Sequence, residues 1–414
     1  MVTFERFTLA NGLRVLVHED NATPMAVVNI LYDVGARDED PERTGFAHLF
    51  EHLMFGGSVN IPNYDGPLQR VGGQNNAFTS NDITNYYITL PAANLETAFW
   101  LESDRMLGLA FSEKSLEVQR SVVCEEFKQR YLDQPYGDAW LRLRPLAYKE
   151  HPYRWATIGK ELAHIEQASM DDVKAFFARH YAPDNAIMVV AGNVETGAVR
   201  QLAEKWFGPI PPRGKGVRSL TAEPPQREAR REIVHASVPQ DNLYIAFHGP
   251  ARLDRAYHTM DLLSDLLSQG ASSRLYRRLV KEKPLFSEIN AYQTGSIDPG
   301  LLVVEGKPLP DVPIDTAENA IWAELEALAA EPVGVYELNK VKNKVESTLV
   351  FGEMAILEKA MNLAYFELLG DAGELNREVD RYLSVTADDI QQLAAQMFRK
   401  ENSSTLIYIA HADA

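Results

Sequence analysis

The sequence predicts an α+β protein built from two similar domains joined by a linker. Short stretches of alternating or β-branched residues predict strands, and longer segments with a helical apolar period lie between them. A helix–turn–strand unit that begins at Asp171 recurs from Asp388, and this offset is about half the length of the chain. A repeat of this length indicates that one domain has been duplicated.

The elements of the first half follow one another in a clear order. Glycines at 72 and 73 separate the first helix from a polar strand, and Gly192 closes the last strand of the half. The predicted elements are strands at 13–20 and 26–33, a helix that includes residues 48–52, strands at 74–80 and 84–90, helices at 93–108, 113–132 and 171–180, and a buried strand at 186–191.

Further matches support the duplication. Tyr181 and Asn185 correspond at the same offset to Phe398 and Asn402, and the strand predicted at 242–248 falls close to one offset from 26–32. Coincidence between two helix–turn–strand units would explain one such match, but not the whole series. We therefore predict domains at 1–210 and 227–414, joined by a Pro/Gly-rich linker at 211–226.

Composition excludes several classes of protein. With 41 basic and 58 acidic residues the net charge is −17, which argues against a nucleic-acid partner or an anionic membrane surface. Cys124 is the single cysteine, so there is no intramolecular disulfide. No apolar run is long enough to span a membrane, and the first residues lack the pattern of a signal peptide. We therefore expect a cytoplasmic protein.

The most informative motif is His48-Leu-Phe-Glu51-His52. Two histidines four residues apart lie on one face of a helix, so both imidazoles can bind one divalent metal. Glu51 can then act on a water held at that metal. The spacing H-x-x-E-H is the reverse of the commoner H-E-x-x-H zinc motif. The alternative is an exposed helix face with two solvated histidines, but the apolar flanks favour burial, and buried ionisable groups need partners.

A catalytic zinc usually has three protein ligands, so a third is needed. The candidates are Glu125 and Glu126, on a long predicted helix whose buried side we assign to apolar positions that include Val122 and Phe127. Glu126 borders that side. From the residues alone, the alternative that both glutamates are solvated is favoured by roughly two to one.

At this point the sequence resembles the pitrilysin/insulinase zinc metallopeptidases, in particular their smaller bacterial branch, which is similar to mitochondrial processing peptidase. The resemblance extends over nearly the whole chain. It is carried by Asn11-Gly-Leu13, Gly45 to His52, Asn76 to Thr79, Arg120 to Glu126, Tyr153 with Ile158-Gly159, and Tyr181 to Asn185.

The resemblance implies one zinc ion bound by His48, His52 and Glu126, with Glu51 as the general base. It also implies two α+β domains, each an antiparallel sheet with helices packed on one face, which face each other as a clam-like chamber. Asn76, Ala77 and Phe78 then belong to an edge strand that accepts an extended peptide by β-augmentation, whereas an ordinary solvated edge is the alternative.

Two positions depart from the family pattern. Gln119 stands where the family often has a glutamate, and it can still support a ligand or substrate through hydrogen bonds. In the second domain, active members supply an arginine and a tyrosine that grip the substrate, and Lys281 and Ser287 stand there instead. Tyr276, Tyr292 and Arg278 are alternative sources of these groups, and the sequence does not choose among them.

These departures predict a zinc-bearing subunit of a heterodimer, with a homologous partner that supplies the Arg/Tyr pair; a homodimer is the alternative arrangement. The expected activity is zinc-dependent endopeptidase cleavage of peptides or unfolded segments. The alternative from another class is a non-catalytic structural or assembly subunit with the same fold. A hydrolase of non-peptide substrates is poorly supported, because no phosphate-binding glycine loop or sugar-cleft aromatic set is present.

Overall fold

Two structural units, each with its own sheet, make up the residues that the computed structural model describes, 1–216 and 218–411. Unit 1 contains Met1–Lys128, Trp155–Leu220 and Leu349–Arg377. Unit 2 contains Gln129–Arg154, Thr221–Thr348 and the chain from Glu378 onwards.

Strands and α-helices are numbered here in chain order. The strands are β1 (Glu5–Thr8), β2 (Arg14–Glu19), β3 (Met25–Tyr32), β4 (Gln74–Thr79), β5 (Thr84–Pro91), β6 (Ala186–Gly192), β7 (Arg230–Ala236), β8 (Asn242–His248), β9 (Phe286–Gln293), β10 (Leu301–Pro308) and β11 (Ser403–Ala410). The helices are α1 (Phe46–Leu53), α2 (Asp65–Arg70), α3 (Leu95–Leu107), α4 (Glu113–Phe127), α5 (Ala139–Ala147), α6 (Leu162–Glu166), α7 (Met170–His180), α8 (Thr196–Trp206), α9 (Ala256–Ser268), α10 (Ile314–Ala330), α11 (Val335–Gly352), α12 (Ile356–Leu368), α13 (Glu378–Leu383) and α14 (Ala387–Met397).

Apart from β1, the two sheets share one topology, which confirms the predicted α+β fold of two similar units. Unit 1 has the order β1-β2-β6-β3-β5-β4, and unit 2 has the order β7-β11-β8-β10-β9. Each sheet contains one parallel pair, β2–β6 in unit 1 and β7–β11 in unit 2, and all its other pairs are antiparallel. Parallel strands need a long crossover connection, and both parallel pairs join strands that are distant in the chain.

Each sheet has helices on both faces, which differs from the expectation of helices on one face. In unit 1, α1 and α3 contact strands on one side, while α12 packs against β3 and β6 on the other. In unit 2, α5 packs against β8 and β11. The helices α12 and α5 each follow a long helix, and each belongs to the unit other than the one expected from chain order. The predicted domains are continuous ranges of the chain, so they assign α5 to the first unit and α12 to the second.

Burial on both faces explains the composition of the central strands. All seven residues of β6 are buried, including Ile187 and Val189, which pack with Leu363 of α12. A strand covered on both faces reads as a continuous apolar run rather than an alternating one. The continuous apolar sequence of β6 therefore indicates that both faces of the strand are covered.

No helix among the described residues is long and apolar enough to cross a membrane.

His180, at the end of α7, gives unit 1 an acid-sensitive position. It is buried beside the ring of Phe176, and burial lowers the pKa of His180 to about 4. A histidine whose folded-state pKa lies below its unfolded value contributes stability that is present above about pH 6.5 and is lost as the pH falls towards 4.

We expect His180→Phe to reduce this loss of stability, by at most about 1.4 kcal/mol per pH unit. Urea denaturation at pH 7, 6 and 5 measures the slope. The exposed His235→Phe serves as the control, and an unchanged slope in the His180 variant would contradict the assignment.

Candidate metal centre

Helix α1 carries three of the predicted site residues in two turns. The imidazoles of His48 and His52 lie 4.9 Å apart between ring centroids, at an angle of 82°. Both side chains and that of Glu51 are half-buried, and the opposite face of the helix is fully buried in unit 1. The amphipathic pattern of α1 therefore directs both histidines and Glu51 away from the core.

Helix α4 brings the fourth predicted residue to α1. The Oε2 atom of Glu126 lies 3.7 Å from Nε2 of His48 and 3.5 Å from Nε2 of His52. Among the described residues these three side chains form the one group of histidines, cysteines and carboxylates arranged to hold a metal ion, with ligand atoms within 4.8 Å of one another. Glu125, the other candidate, is exposed and pairs with Lys128 at 2.7 Å, so it points away from the histidines.

The three donors fit a zinc ion. Zinc lies about 2.0–2.1 Å from nitrogen and oxygen ligands, so donors at tetrahedral angles are about 3.4 Å apart. The two distances from Glu126 are close to this value. Two neutral imidazoles and one carboxylate are also a donor set that catalytic zinc prefers. The donors leave a fourth position for water.

Close packing explains why α4 can approach α1. Gly56, in the turn after α1, lies so near α4 that a Cβ atom there would be 2.4 Å from Oγ of Ser115. Ser112 caps α4 by accepting a hydrogen bond from the backbone N–H of Ser115 at 3.1 Å. Cys124 is buried on the inner side of α4, and burial raises the pKa of its thiol. It therefore behaves as a small apolar residue.

The last turn of α1 rests on a buried hydrogen bond. The hydroxyl of Tyr86 donates to the carbonyl oxygen of Phe50 at 3.2 Å, and burial holds the pKa of Tyr86 well above its usual value, so the donor proton is retained. The guanidinium of Arg105 lies 4.4 Å from the centre of the Tyr86 ring and forms two hydrogen bonds to the Glu102 carboxylate. This buried cluster supports α1 from the core side.

The first turn of α1 is held by a residue that sequence reasoning missed. Oε2 of Glu39 accepts a hydrogen bond from the backbone N–H of Gly45, and Oε1 accepts one from that of Ala47, both at 2.8 Å. Asp38 and Asp40 flank Glu39, and a charged residue in such a segment is usually exposed. The available signal was Gly45, since a glycine that starts a helix offers no side chain to cap it.

Gly45 itself cannot be replaced without strain. Its φ is +89°, and a Cβ atom would lie 2.6 Å from the carbonyl oxygen of Ile158. We expect Gly45→Ala to lower the free energy of unfolding by about 2–3 kcal/mol. Gly197→Ala, in helix α8 with nothing within 4 Å of the added atom, is the control and should raise it by about 0.5–1 kcal/mol. Guanidinium denaturation measures both, and equal stability of the two variants would contradict the prediction.

The predicted peptide-binding residues lie on β4, which is the last strand of its sheet. Its one strand partner in the described part of the chain is β5. Phe78 is 39% exposed, whereas Ala77 is buried. Contacts between β4 and α1, including Thr79 Oγ1 near the carbonyl of Ala47, place this strand beside the metal helix. Thr79 was part of the family motif, and the geometry links it to the first turn of α1.

Two other expectations concern the outer side of α4. Gln119 is half-buried, two turns before Glu126. Val122, which the sequence assigned to the buried side, is 45% exposed, so that assignment was wrong. Val123 and Phe127 are buried as predicted, whereas Val122 lies one turn before Glu126, on the side that faces away from the core.

Unit 2 does not repeat the donor set. At the offset that relates Asp171 to Asp388, the residues Asp265, Gln269 and Asn343 correspond to His48, His52 and Glu126. Lys344 Nζ pairs with both carboxylate oxygens of Asp265 at 3.1 Å, so an ion pair joins α9 and α11 where unit 1 joins α1 and α4 through the donor set. The duplicated scaffold thus retains the helix pair with different chemistry.

Family models and a curated relative both match one family of peptidases. A family model described as Insulinase (Peptidase family M16) matches residues 14–140, and one described as Peptidase M16 inactive domain matches residues 167–345. The zinc protease PqqE of Helicobacter pylori is 30% identical over 97% of this chain and 92% of its own length.

Solved structures agree in fold. A protease from Helicobacter pylori superimposes with a TM-score of 0.92 at 29% identity, over 99% of this chain and all of that one. A structure from Pseudomonas fluorescens, titled peptidase M16 inactive domain, has a TM-score of 0.90 at 16% identity and covers 99% of both chains. At 16% identity, the similarity to the Pseudomonas fluorescens structure shows a shared fold and nothing more.

Proposed function

The chain belongs to the insulinase family of peptidases, peptidase family M16, and from this premise we propose that it is a zinc-dependent endopeptidase that cleaves peptides or unfolded segments. The observation that carries the proposal is the convergence of His48, His52 and Glu126 from two helices, with Glu51 one residue before His52. The identity of the relatives as zinc proteases supports the same chemistry.

Each side chain has a separate role in the proposed reaction. Zinc bound in this site would supply a Lewis acid that makes water nucleophilic near neutral pH and polarises the scissile carbonyl. His48, His52 and Glu126 would hold the ion. Glu51 lies outside the donor set, takes a proton from the attacking water and returns it to the leaving amine.

Strand β4 is the proposed binding site for substrate. An extended peptide that pairs with the outer edge of β4 would run past α1, because the two elements are in contact. Within the segment Asn76 to Phe78, alternate residues would provide main-chain hydrogen bonds at the free edge. Pairing of this kind recognises backbone more than side chains, so broad specificity for unfolded segments is expected.

The proposal includes a homologous partner subunit. In unit 2, Ser287 Oγ donates to the carbonyl of Lys307 at 3.1 Å, and the ammonium of Lys281 lies 5.3 Å from the ring of Tyr276. Arg278 pairs with Glu324 at 2.5 Å. These side chains are engaged within unit 2. We therefore propose that a related chain without H-x-x-E-H supplies the arginine and tyrosine that grip the substrate.

Cleavage of a fluorogenic unfolded peptide tests this function. We expect slow hydrolysis by the zinc-loaded chain alone, a large gain when a homologous subunit that carries the Arg/Tyr pair is added, and loss of activity with a chelator. Full activity of the chain alone with no gain from that subunit would contradict the heterodimer. If no combination of chains cleaves, the structural or assembly subunit is the better account. A cytoplasmic location stays a prediction.

A further inference from the structure

The first turn of α1 depends on one buried carboxylate. The helix begins after Gly45, which has no side chain to cap it. The first backbone N–H groups of a helix have no partner within the helix. Glu39 accepts hydrogen bonds from two N–H groups at this end, those of Gly45 and Ala47, and its side chain reaches them across the loop 40–44.

This arrangement is electrostatically costly. Glu39 is 6% exposed, and burial raises the pKa of its carboxyl, whereas the hydrogen bonds from the amides of Gly45 and Ala47 favour the ionised form, in which both oxygens can accept. Stability alone would favour an uncharged side chain at such a position.

Glu39 affects the electrostatic potential at the metal centre, because it binds the N-terminus of the helix that carries His48 and His52. His48 lies in the first turn of α1, next to the positive end of the helix. That positive end disfavours a divalent cation held by His48. A carboxylate that accepts two of the terminal N–H groups offsets this charge and also fixes the rotation of the first turn.

We propose that Glu39 is a positioning residue for the metal centre, which acts through the N-terminus of α1 to raise the zinc affinity of His48, His52 and Glu126. The inference rests on the proposed function for the identity of the metal. It does not require peptide cleavage, because the effect is on zinc binding itself.

Zinc affinity of the purified chain, measured by competition with a chromogenic chelator, tests the proposal. Glu39→Gln keeps the size of the side chain but replaces one acceptor oxygen by an NH2 group that faces a backbone N–H. We expect its zinc affinity to fall about tenfold, the lower end of the range for residues that orient metal ligands. Glu42→Gln changes an exposed glutamate in the same loop and should bind zinc as the wild type does.

The Glu39→Asp variant distinguishes the effect of the negative charge from the effect of side-chain length. It keeps the carboxylate but is one methylene shorter, so it should reach one of the two amides and give an intermediate zinc affinity. Melting of the metal-free proteins reports folding independently. The glutamine variant should melt at a lower temperature, because its NH2 group leaves a buried backbone N–H without an acceptor, but it should stay folded at the assay temperature while it loses zinc affinity, a combination that loss of folding would not produce.

Two results would overturn the inference. One is equal zinc affinity of the folded wild type and the folded Glu39→Gln variant. The other is an aspartate variant that binds zinc more weakly than the glutamine variant. This would show that the negative charge at position 39 does not raise the zinc affinity. If the wild type binds zinc as described but cleaves no peptide with any partner, the proposed function fails and the role of Glu39 stands.

Discussion

The Glu51→Gln variant is expected to lose peptide hydrolysis by a factor of about 10² to 10⁴ and to retain zinc. Glutamine has nearly the same shape as glutamate but cannot accept a proton from water. Glu51 is absent from the group of donors formed by His48, His52 and Glu126, so its neutralisation removes no ligand. Loss of activity without loss of metal would identify Glu51 as the proton-transfer group.

The measurement pairs initial rates of peptide cleavage with zinc content of the same sample. Glu125→Gln is a matched control, because Glu125 precedes Glu126 on α4, is exposed and pairs with Lys128. It should keep wild-type activity. If Glu51→Gln cleaved at the wild-type rate, Glu51 would not be the base, and if it lost zinc as well, it would belong among the ligands.

The Glu126→Gln variant is expected to bind zinc about a hundredfold more weakly than the wild type. Structural zinc sites with four ligands bind with about 10–16 kcal/mol, so one ligand contributes on the order of 3 kcal/mol. Glu126 supplies the single carboxylate of the set, and both histidine distances converge on its Oε2 atom. A neutral amide there is a weaker ligand for zinc.

Competition with a chelator measures this loss, and Glu125→Gln again provides the control. The chain should remain folded, because Glu126 is half-buried and its neighbours Val123 and Phe127 fill the core. Wild-type affinity in the Glu126 variant would remove it from the ligand set. A similar loss in both variants would show that the net charge of α4, rather than direct ligation, sets the affinity.

The part of the site that sequence could predict lies within one helix. His48, Glu51 and His52 are fixed relative to one another by the helical repeat, so their spacing alone predicts a common site. Glu126 lies much further along the chain, on another helix. Helical periodicity does not determine which helices touch, so the residues alone favoured a solvated Glu126, and only the family resemblance selected it.

Features that depend on tertiary packing were predicted poorly. The pattern of α4 placed Val122 inside, because an apolar residue beside Val123 suggests burial, yet it is 45% exposed. Helices α5 and α12 were expected to stay with their own halves, and both belong to the other unit. Glu39 was not singled out, because a charged residue between two aspartates is usually solvated. For α5 and α12 the decisive contacts join residues distant in the chain.

The most direct test of the central claim is anomalous X-ray scattering at the zinc edge from crystals of the zinc-loaded chain. The account predicts one strong peak about 2.0–2.2 Å from Nε2 of His48, Nε2 of His52 and a carboxylate oxygen of Glu126, with Glu51 outside the ligand set. A peak elsewhere in the chain, or none at these residues with zinc bound in stoichiometric amount, would contradict it.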